Sequence, residues 1–288
     1  MHLQREKNKF IDQGKPSQAL LDLCKLTHVP VKPTDSLDVI VKKTQKAWYQ
    51  GKKERWEARL PESLNNPDII DKIIHICYER LDLHDAILPP GDTLCAYDGV
   101  FFLGASYHSV INRLDFYLDL VKSGKISKDL PLWVLTGERA LTPRIGETEE
   151  VFRAIVNPRK KTLPLPTNEA EMIAFVFHHR LPEDIKATLI DSQKERGYGR
   201  ATTQSTIEAF IHTTGIKSGR FLAISNQPYV YYQQTALQSK LLQLGIPIEI
   251  TCVGGAAKNQ TEGYKNTHAA MLLDNVAKVL FNLRGMKP

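Results

Sequence analysis

Five short stretches carry the side chains with which this sequence could do chemistry: Gly104-Ala105-Ser106, Thr136-Gly137-Glu138-Arg139, Arg196 to Thr203, Asn226-Gln227-Pro228-Tyr229 and Gly254-Gly255. Gly104 lets a backbone come close to a ligand. The amides that follow Ser106 would direct partial positive charge at an anion. Arg139, Arg196 and Arg200 have the forked donors that grip phosphate or carboxylate in pairs. Asn226 and Gln227 could read an amide, a ribose or a base edge. Glu138 and Glu169 are the carboxylates best placed for acid/base work, with Glu171, Glu208, His108 and Asp98 as further titratable groups. Each feature also has a plain structural reading. A glycine after a strand is a turn, Thr202 or Thr203 is a helix cap, Glu169 and Glu171 complement a helix dipole, and Asn226-Gln227-Pro228 is an Asn-initiated turn. The case for function rests on their common location, which depends on the elements that carry them.

Those elements alternate. Residues 96–103 read as a buried strand ending in Val100-Phe101-Phe102-Leu103, and the helical pattern of Val110, Leu114, Tyr117 and Leu118 starts directly after the glycine turn. Further strands are expected at 131–135, 186–190, 220–224 and 246–253. Between them lie helices opening at Thr167-Asn168-Glu169, at Thr202 or Thr203, and after Tyr229, and a last helix covers 264–283. The polar segment 140–166, with four prolines, is long for a connection and reads as a lid or excursion beside the site. This alternation predicts a Rossmann-like, three-layer α/β sandwich around a mainly parallel five-stranded sheet. In that architecture the five stretches converge on the carboxyl edge of the sheet. Residues 1–90 read as a helical N-terminal region. Its first helix is capped by Ser17, the second opens at Thr34 or Asp35, and the third has Pro67 in its first turn. Pro89-Pro90-Gly91 is the expected boundary, giving a helical region of 1–90 and an α/β domain of 91–288.

Composition sets broad limits. The 288 residues are 42% hydrophobic and 24% charged, with a net charge of +6, ordinary values for a chain that builds a core. The basic residues are dispersed, and no basic segment carries interleaved aromatics or a nucleic-acid-binding motif. The four cysteines show no metal spacing, so no metal site is expected and buried thiols in a reducing compartment are the reading. The N-terminus lacks an apolar leader and no run reaches membrane length, so the expectation is a cytoplasmic protein without a membrane segment; signals read by specialised secretion machines fall outside this criterion. No P-loop, nucleophile elbow or complete G-x-G-x-x-G pattern is present.

The landmarks resemble, in order, the SanA/ElyC/YdcF-like family, a bacterial family of unknown function. They are Asp98-Gly-Val-Phe-Phe-Leu-Gly104, Arg113, Leu135-Thr136-Gly137, Thr167-Asn-Glu169-Ala-Glu171, Arg200-Ala-Thr-Thr-Gln-Ser-Thr206-Ile-Glu208 and Ile224-Ser-Asn-Gln-Pro-Tyr229. The resemblance covers about 93–256. It departs from the family where Tyr229 and Tyr232 stand in place of a histidine and an arginine, and it lacks the usual membrane anchor. It implies a Rossmann-like fold, a link to envelope processes, and, from a soluble member, S-adenosylmethionine or a nucleotide as ligand.

The expectation is therefore a site for a small anionic or nucleotide-like molecule. In an enzyme it would serve a hydrolase or transferase acting on a phosphorylated or nucleotide-linked substrate. Gly104, Ser106, Thr136, Gly137 and Thr203 would line it, and Arg139 and Arg200 would clamp charge. Glu138 or Glu169 would be the acid/base, with Asn226, Gln227 and Tyr229 orienting the ligand. The alternative is a non-catalytic module that recognises a protein partner through Tyr229, Tyr231, Tyr232 and the glutamines of 227–243.

Overall fold

The computed structural model describes residues 9–51, 57–90, 97–193, 201–257 and 264–286. In chain order its elements begin with β1 (Ile11–Asp12), β2 (Lys15–Pro16), α1 (Gln18–Leu26), α2 (Leu37–Trp48), α3 (Pro67–His75), β3 (Gly99–Leu103) and α4 (Tyr107–Lys122). They continue with β4 (Leu132–Gly137), α5 (Glu149–Ala154), α6 (Glu169–Arg180), β5 (Ala187–Ser192), α7 (Thr203–Thr214), β6 (Gly219–Asn226), α8 (Val230–Gln243), β7 (Ile248–Gly255) and α9 (Lys265–Gly285). These form two compact units. A helical unit takes Met1–Asp85, Gln227–Thr235 and Ala256–Pro288, and an α/β unit takes Ala86–Asn226 and Ala236–Gly255. The sequence reading cut the chain once, near residue 90. In the structure the helical unit is discontinuous, because α9 and the start of α8 bury their apolar faces with α1, α2 and α3.

In the helical unit, Ser17 caps α1 by accepting from the Leu20 amide at 3.2 Å. The second helix opens later than the sequence suggested, behind Ser36 rather than Thr34 or Asp35. Asp35 is held by Lys43 at 2.6 Å and by the Lys32 amide at 2.9 Å, so Ser36 becomes the cap of α2. Leu20, Leu23, Ile40, Trp48, Ile73, Leu273, Val276 and Leu280 form its interior. Trp48, fully buried, donates its indole N–H to Thr27 Oγ1 at 3.2 Å. Cys24 and Cys77 lie buried in this interior, and burial pushes the Cys24 thiol up to about 12, where it is inert at neutral pH. Cys252 is also buried, and Cys95 lies outside the described residues.

The α/β unit holds the expected five-stranded sheet, all parallel, in the order β5-β4-β3-β6-β7. The central strand β3 is a continuous buried apolar run because both its faces are covered, whereas the edge strand β5 is largely exposed. Val100 and Phe102 point to one side, where Val134, Leu222, Ile224 and Val253 meet Val110, Leu114 and Tyr117 of α4 and Ile173, Val176 and Phe177 of α6. Phe101 points to the other side. There it stacks on Phe221 at 4.7 Å and meets Phe210 of α7 edge-on at 4.7 Å. The result is a three-layer, Rossmann-like α/β fold. Successive strands step outward from β3 through β4 to β5, then from β6 to β7. The order therefore reverses between β3 and β6, which makes their carboxyl ends the topological switch point where ligands sit in such folds. No helix among the described residues is long and apolar enough to cross a membrane.

Candidate functional site

At the switch point the sheet ends in a row of three residues. Leu103 pairs with Leu135, and Phe102 with Ile224, so the next row on the side of α4 and α6 holds Thr136, Gly104 and Asn226. Thr136 is buried, and its hydroxyl has no hydrogen-bond partner among the described residues. A buried hydroxyl left unbonded is costly, and such groups are rare in cores. Gly104 is close-packed here: a β-carbon on it would stand 2.7 Å from Glu169 Oε1 and 3.1 Å from both the Leu135 oxygen and Thr136 Cα. Glycine at this position thus lets a carboxylate lie directly against the strand end.

Two buried arginines organise the row. Arg113, 1% exposed, projects from α4. Its Nη1 donates to the carbonyls of Leu103 at 2.6 Å and Gly104 at 2.9 Å, and its Nε donates to Asn226 Oδ1 at 2.8 Å. It ties the ends of β3 and β6 together and sets the orientation of the Asn226 amide. The sequence supplied Arg113 only as a family landmark.

Arg139 lies between two acids. Its Nη1 and Nη2 donate to Glu147 at 2.8 and 2.6 Å in a bidentate pair, while Nε donates to Glu169 Oε2 at 2.6 Å. Burial disfavours its charge, but the bonds to Glu147 and Glu169 outweigh that and hold the guanidinium above its ordinary value. The sequence assigned Arg139 to an incoming anion; in the structure its fork is engaged by the chain's own carboxylates. Glu147, whose side chain is fully buried, also accepts from the Tyr107 amide at the start of α4 at 3.2 Å and from the Thr142 amide at 2.8 Å. A carboxylate from the 140–166 excursion therefore occupies part of the anion cradle expected after Ser106. Nothing in the sequence around Glu147 signals this, because that segment has no periodicity and its partners come from other elements.

Glu169 opens α6 behind its cap Asn168, whose side chain accepts from the Glu171 amide at 2.9 Å. The Glu169 amide donates to the Arg139 carbonyl at 2.9 Å, fastening the start of α6 to the exit of β4. Its side chain keeps 12% exposure. Glu171, by contrast, is held by the Thr167 amide and hydroxyl, both at 2.8 Å, and these bonds lower its pKa.

The remaining expected residues are spread around this centre. Ser106 caps α4 by position without accepting from a helix amide, and its hydroxyl donates to that of Ser109 at 3.5 Å. Glu138 is exposed. Asp191, paired with Thr136 in the sheet, has its pKa raised by burial and by the charge of Glu138. Gly137 is packed against Ala201, and Thr203 is the first residue of α7, with Thr202 as cap in a reciprocal capping box with Ser205. Gln227 and Tyr229 belong to the helical unit. There the Gln227 amide donates to the carbonyls of Asp82 at 2.9 Å and Asp85 at 3.1 Å, and Tyr229 is buried. Tyr231, half-buried, donates to Asp82 at 3.0 Å and packs edge-on against Phe10, so the expected Tyr/Gln face contributes to that unit's interior. Arg196 and Arg200 lie outside the described residues. Among the described residues no three His, Cys, Asp or Glu side chains group as metal ligands.

Comparison of the chain with models of known protein families, with curated proteins and with solved structures finds no match.

Proposed function

We propose that the α/β unit binds a small anionic, nucleotide-like molecule in the crevice at the carboxyl ends of β3 and β6. We further propose that it acts there as a hydrolase or transferase on a phosphorylated or nucleotide-linked substrate. The observation that carries this reading is Glu169. It is a carboxylate laid against Gly104 at the switch point, oriented by Arg139 and still partly open to solvent. A group so fixed suits proton transfer, because its direction is set before a substrate arrives. Arg139 and Arg113 then act as positioning residues rather than clamps. Anion recognition falls to Ser106 and to the His108 and Ser109 amides in the first turn of the 16-residue helix α4, because the Tyr107 amide is taken by Glu147. The unbonded, buried Thr136 hydroxyl beside Gly104 is a second polar group for which a ligand atom would be a natural partner. The resemblance to the SanA/ElyC/YdcF-like family favours S-adenosylmethionine or a nucleotide among such molecules.

The test is a thermal-shift screen of the purified chain against nucleotides, S-adenosylmethionine, sugar nucleotides and simple phosphates. A ligand at 100 times its dissociation constant stabilises the folded state by about 2.7 kcal/mol, well within detection. A hit should be lost in Ser106→Glu, which brings negative charge to the half-buried mouth of the crevice, and kept in Glu169→Gln, which should lose turnover. A hit that binds Ser106→Glu as well as wild type, or a screen without any hit, would overturn the reading.

A further inference from the structure

We propose that the helical unit binds a single-chain anionic lipid, as a free monomer, in the groove between α1 and α3. The groove has a volume of about 550 Å³. Its floor is apolar: Leu26 from α1 and Ile69 and Ile76 from α3 and its continuation. Ile69, Lys72 and Ile76 follow the spacing that puts side chains on one face of a helix, so a lysine stands between two apolar contacts. The stretch of α3 that lines the groove is roughly 10 Å long.

The rim is cationic. Lys25 and Lys72 flank the floor from the two helices, with His28 and His75 beside them, all exposed. Among the described residues these four side chains form no hydrogen bond or ion pair. The one acid in the lining, Asp22, is bound by Arg80 at 2.7 Å and Gln18 at 2.8 Å and also feels the charge of Lys25; with Arg80 beside it, the rim keeps a net positive charge. An apolar floor under a net basic rim calls for a ligand with both parts. Inorganic phosphate would leave the floor wet, and an uncharged alkyl chain would leave the lysines without partners. A monomeric alkyl chain with an anionic head satisfies both, with its chain on Leu26, Ile69 and Ile76 and its head group between Lys25 and Lys72.

The experiment is calorimetric titration of the full chain with decyl phosphate below its micellar concentration. Inorganic phosphate, decyl maltoside and anionic phospholipid vesicles are run beside it. The expected result is saturable binding at one site per chain, weakened at least tenfold in Lys25→Glu/Lys72→Glu and in Ile69→Asn. The lysines are exposed, so the double variant should keep the wild-type circular dichroism and melting temperature, which separates loss of the site from loss of the fold. No binding of decyl phosphate, or binding unchanged in the lysine variant, overturns the proposal. So does equal binding of inorganic phosphate or decyl maltoside, since either makes one half of the groove irrelevant. Binding to vesicles alone would assign the basic rim to a membrane surface. A dimer that dissociates on lysine substitution and binds no decyl phosphate would assign the groove to a second copy. Each of these also overturns the proposal.

Discussion

A guanidinium shared by a buried and a half-buried carboxylate makes its own removal expensive. If Arg139 becomes Met, the carboxylates of Glu147 and Glu169 remain in place without their cation. Breaking a buried pair from one side typically costs about 3–5 kcal/mol, and urea unfolding of Arg139→Met should show a loss of that order. Replacing Glu147 and Glu169 by Gln in the same chain should recover part of it, because the uncompensated charges are then gone. A different residue sets the pH response of the helical unit. His268 lies buried with its ring bonded to the Tyr78 hydroxyl at 2.6 Å, and burial lowers its pKa from 6.5 to about 4. The unfolded chain therefore binds a proton that the folded chain refuses between those values. Stability is fully present above pH 6.5 and falls as the pH drops toward 4, by on the order of 3 kcal/mol from this group. Denaturant midpoints measured from pH 7.5 down to 4 should decline less steeply in His268→Gln. A decline equal to that of wild type would remove His268 as the cause.

At the level of elements, the site depends on how closely β3 and α6 approach. A methyl group on Gly104 would meet Glu169 Oε1 at 2.7 Å and strand backbone at 3.1 Å. Gly104→Ala should destabilise by about 1–3 kcal/mol, the usual range for overpacking. In a Glu169→Ala background the same change should cost less, because only the backbone contacts remain. Additive effects in that double-mutant cycle would mean that the two residues do not share the space. The elements themselves were largely legible. The start of helix α4 was readable because a buried strand, a glycine turn and a 3.6-residue apolar period adjoin there. Asn168 and Thr202 announced the starts of α6 and α7 through cap chemistry. The start of α2 was misread because Asp35 looks like a cap until Lys43, nearly two turns into the helix, claims its carboxylate. The candidate site was legible as a place, not as a wiring diagram. Gly104 and Asn226 follow from strand ends and Glu169 from a capped helix start, whereas Glu147 has no local signature. Nor could local pattern reveal that Arg139 already has partners, since one of them comes from that unpatterned segment.

The largest misreading concerns the whole molecule, and it leads to a direct test. Local periodicity shows that α9 is a helix but not which core it serves. In the structure Ala269, Leu272, Leu273, Val276, Ala277 and Leu280 are buried in the helical unit. Gln45 of α2 donates to the Ala277 carbonyl at 2.7 Å, the Gln50 amide to Asp274 at 3.0 Å, and the Leu60 amide to Asn266 at 3.1 Å. Residues more than 200 positions apart thus complete one interior. Truncating a single buried leucine to alanine costs about 2–5 kcal/mol, and a domain's net stability is about 5–15 kcal/mol. Omitting α9 removes several such side chains at once and exposes the residues they cover. A fragment of residues 1–90 should therefore lack a cooperative thermal transition, despite carrying all of α1, α2 and α3. Residues 9–85 joined by a flexible linker to 256–286 should regain one. If 1–90 alone melts cooperatively with protected amides, the N-terminal helices are self-sufficient and α9 is an accessory to them. If neither fragment folds, residues 227–235 are needed too, through the bonds that Gln227 and Tyr231 make to the segment around Asp82.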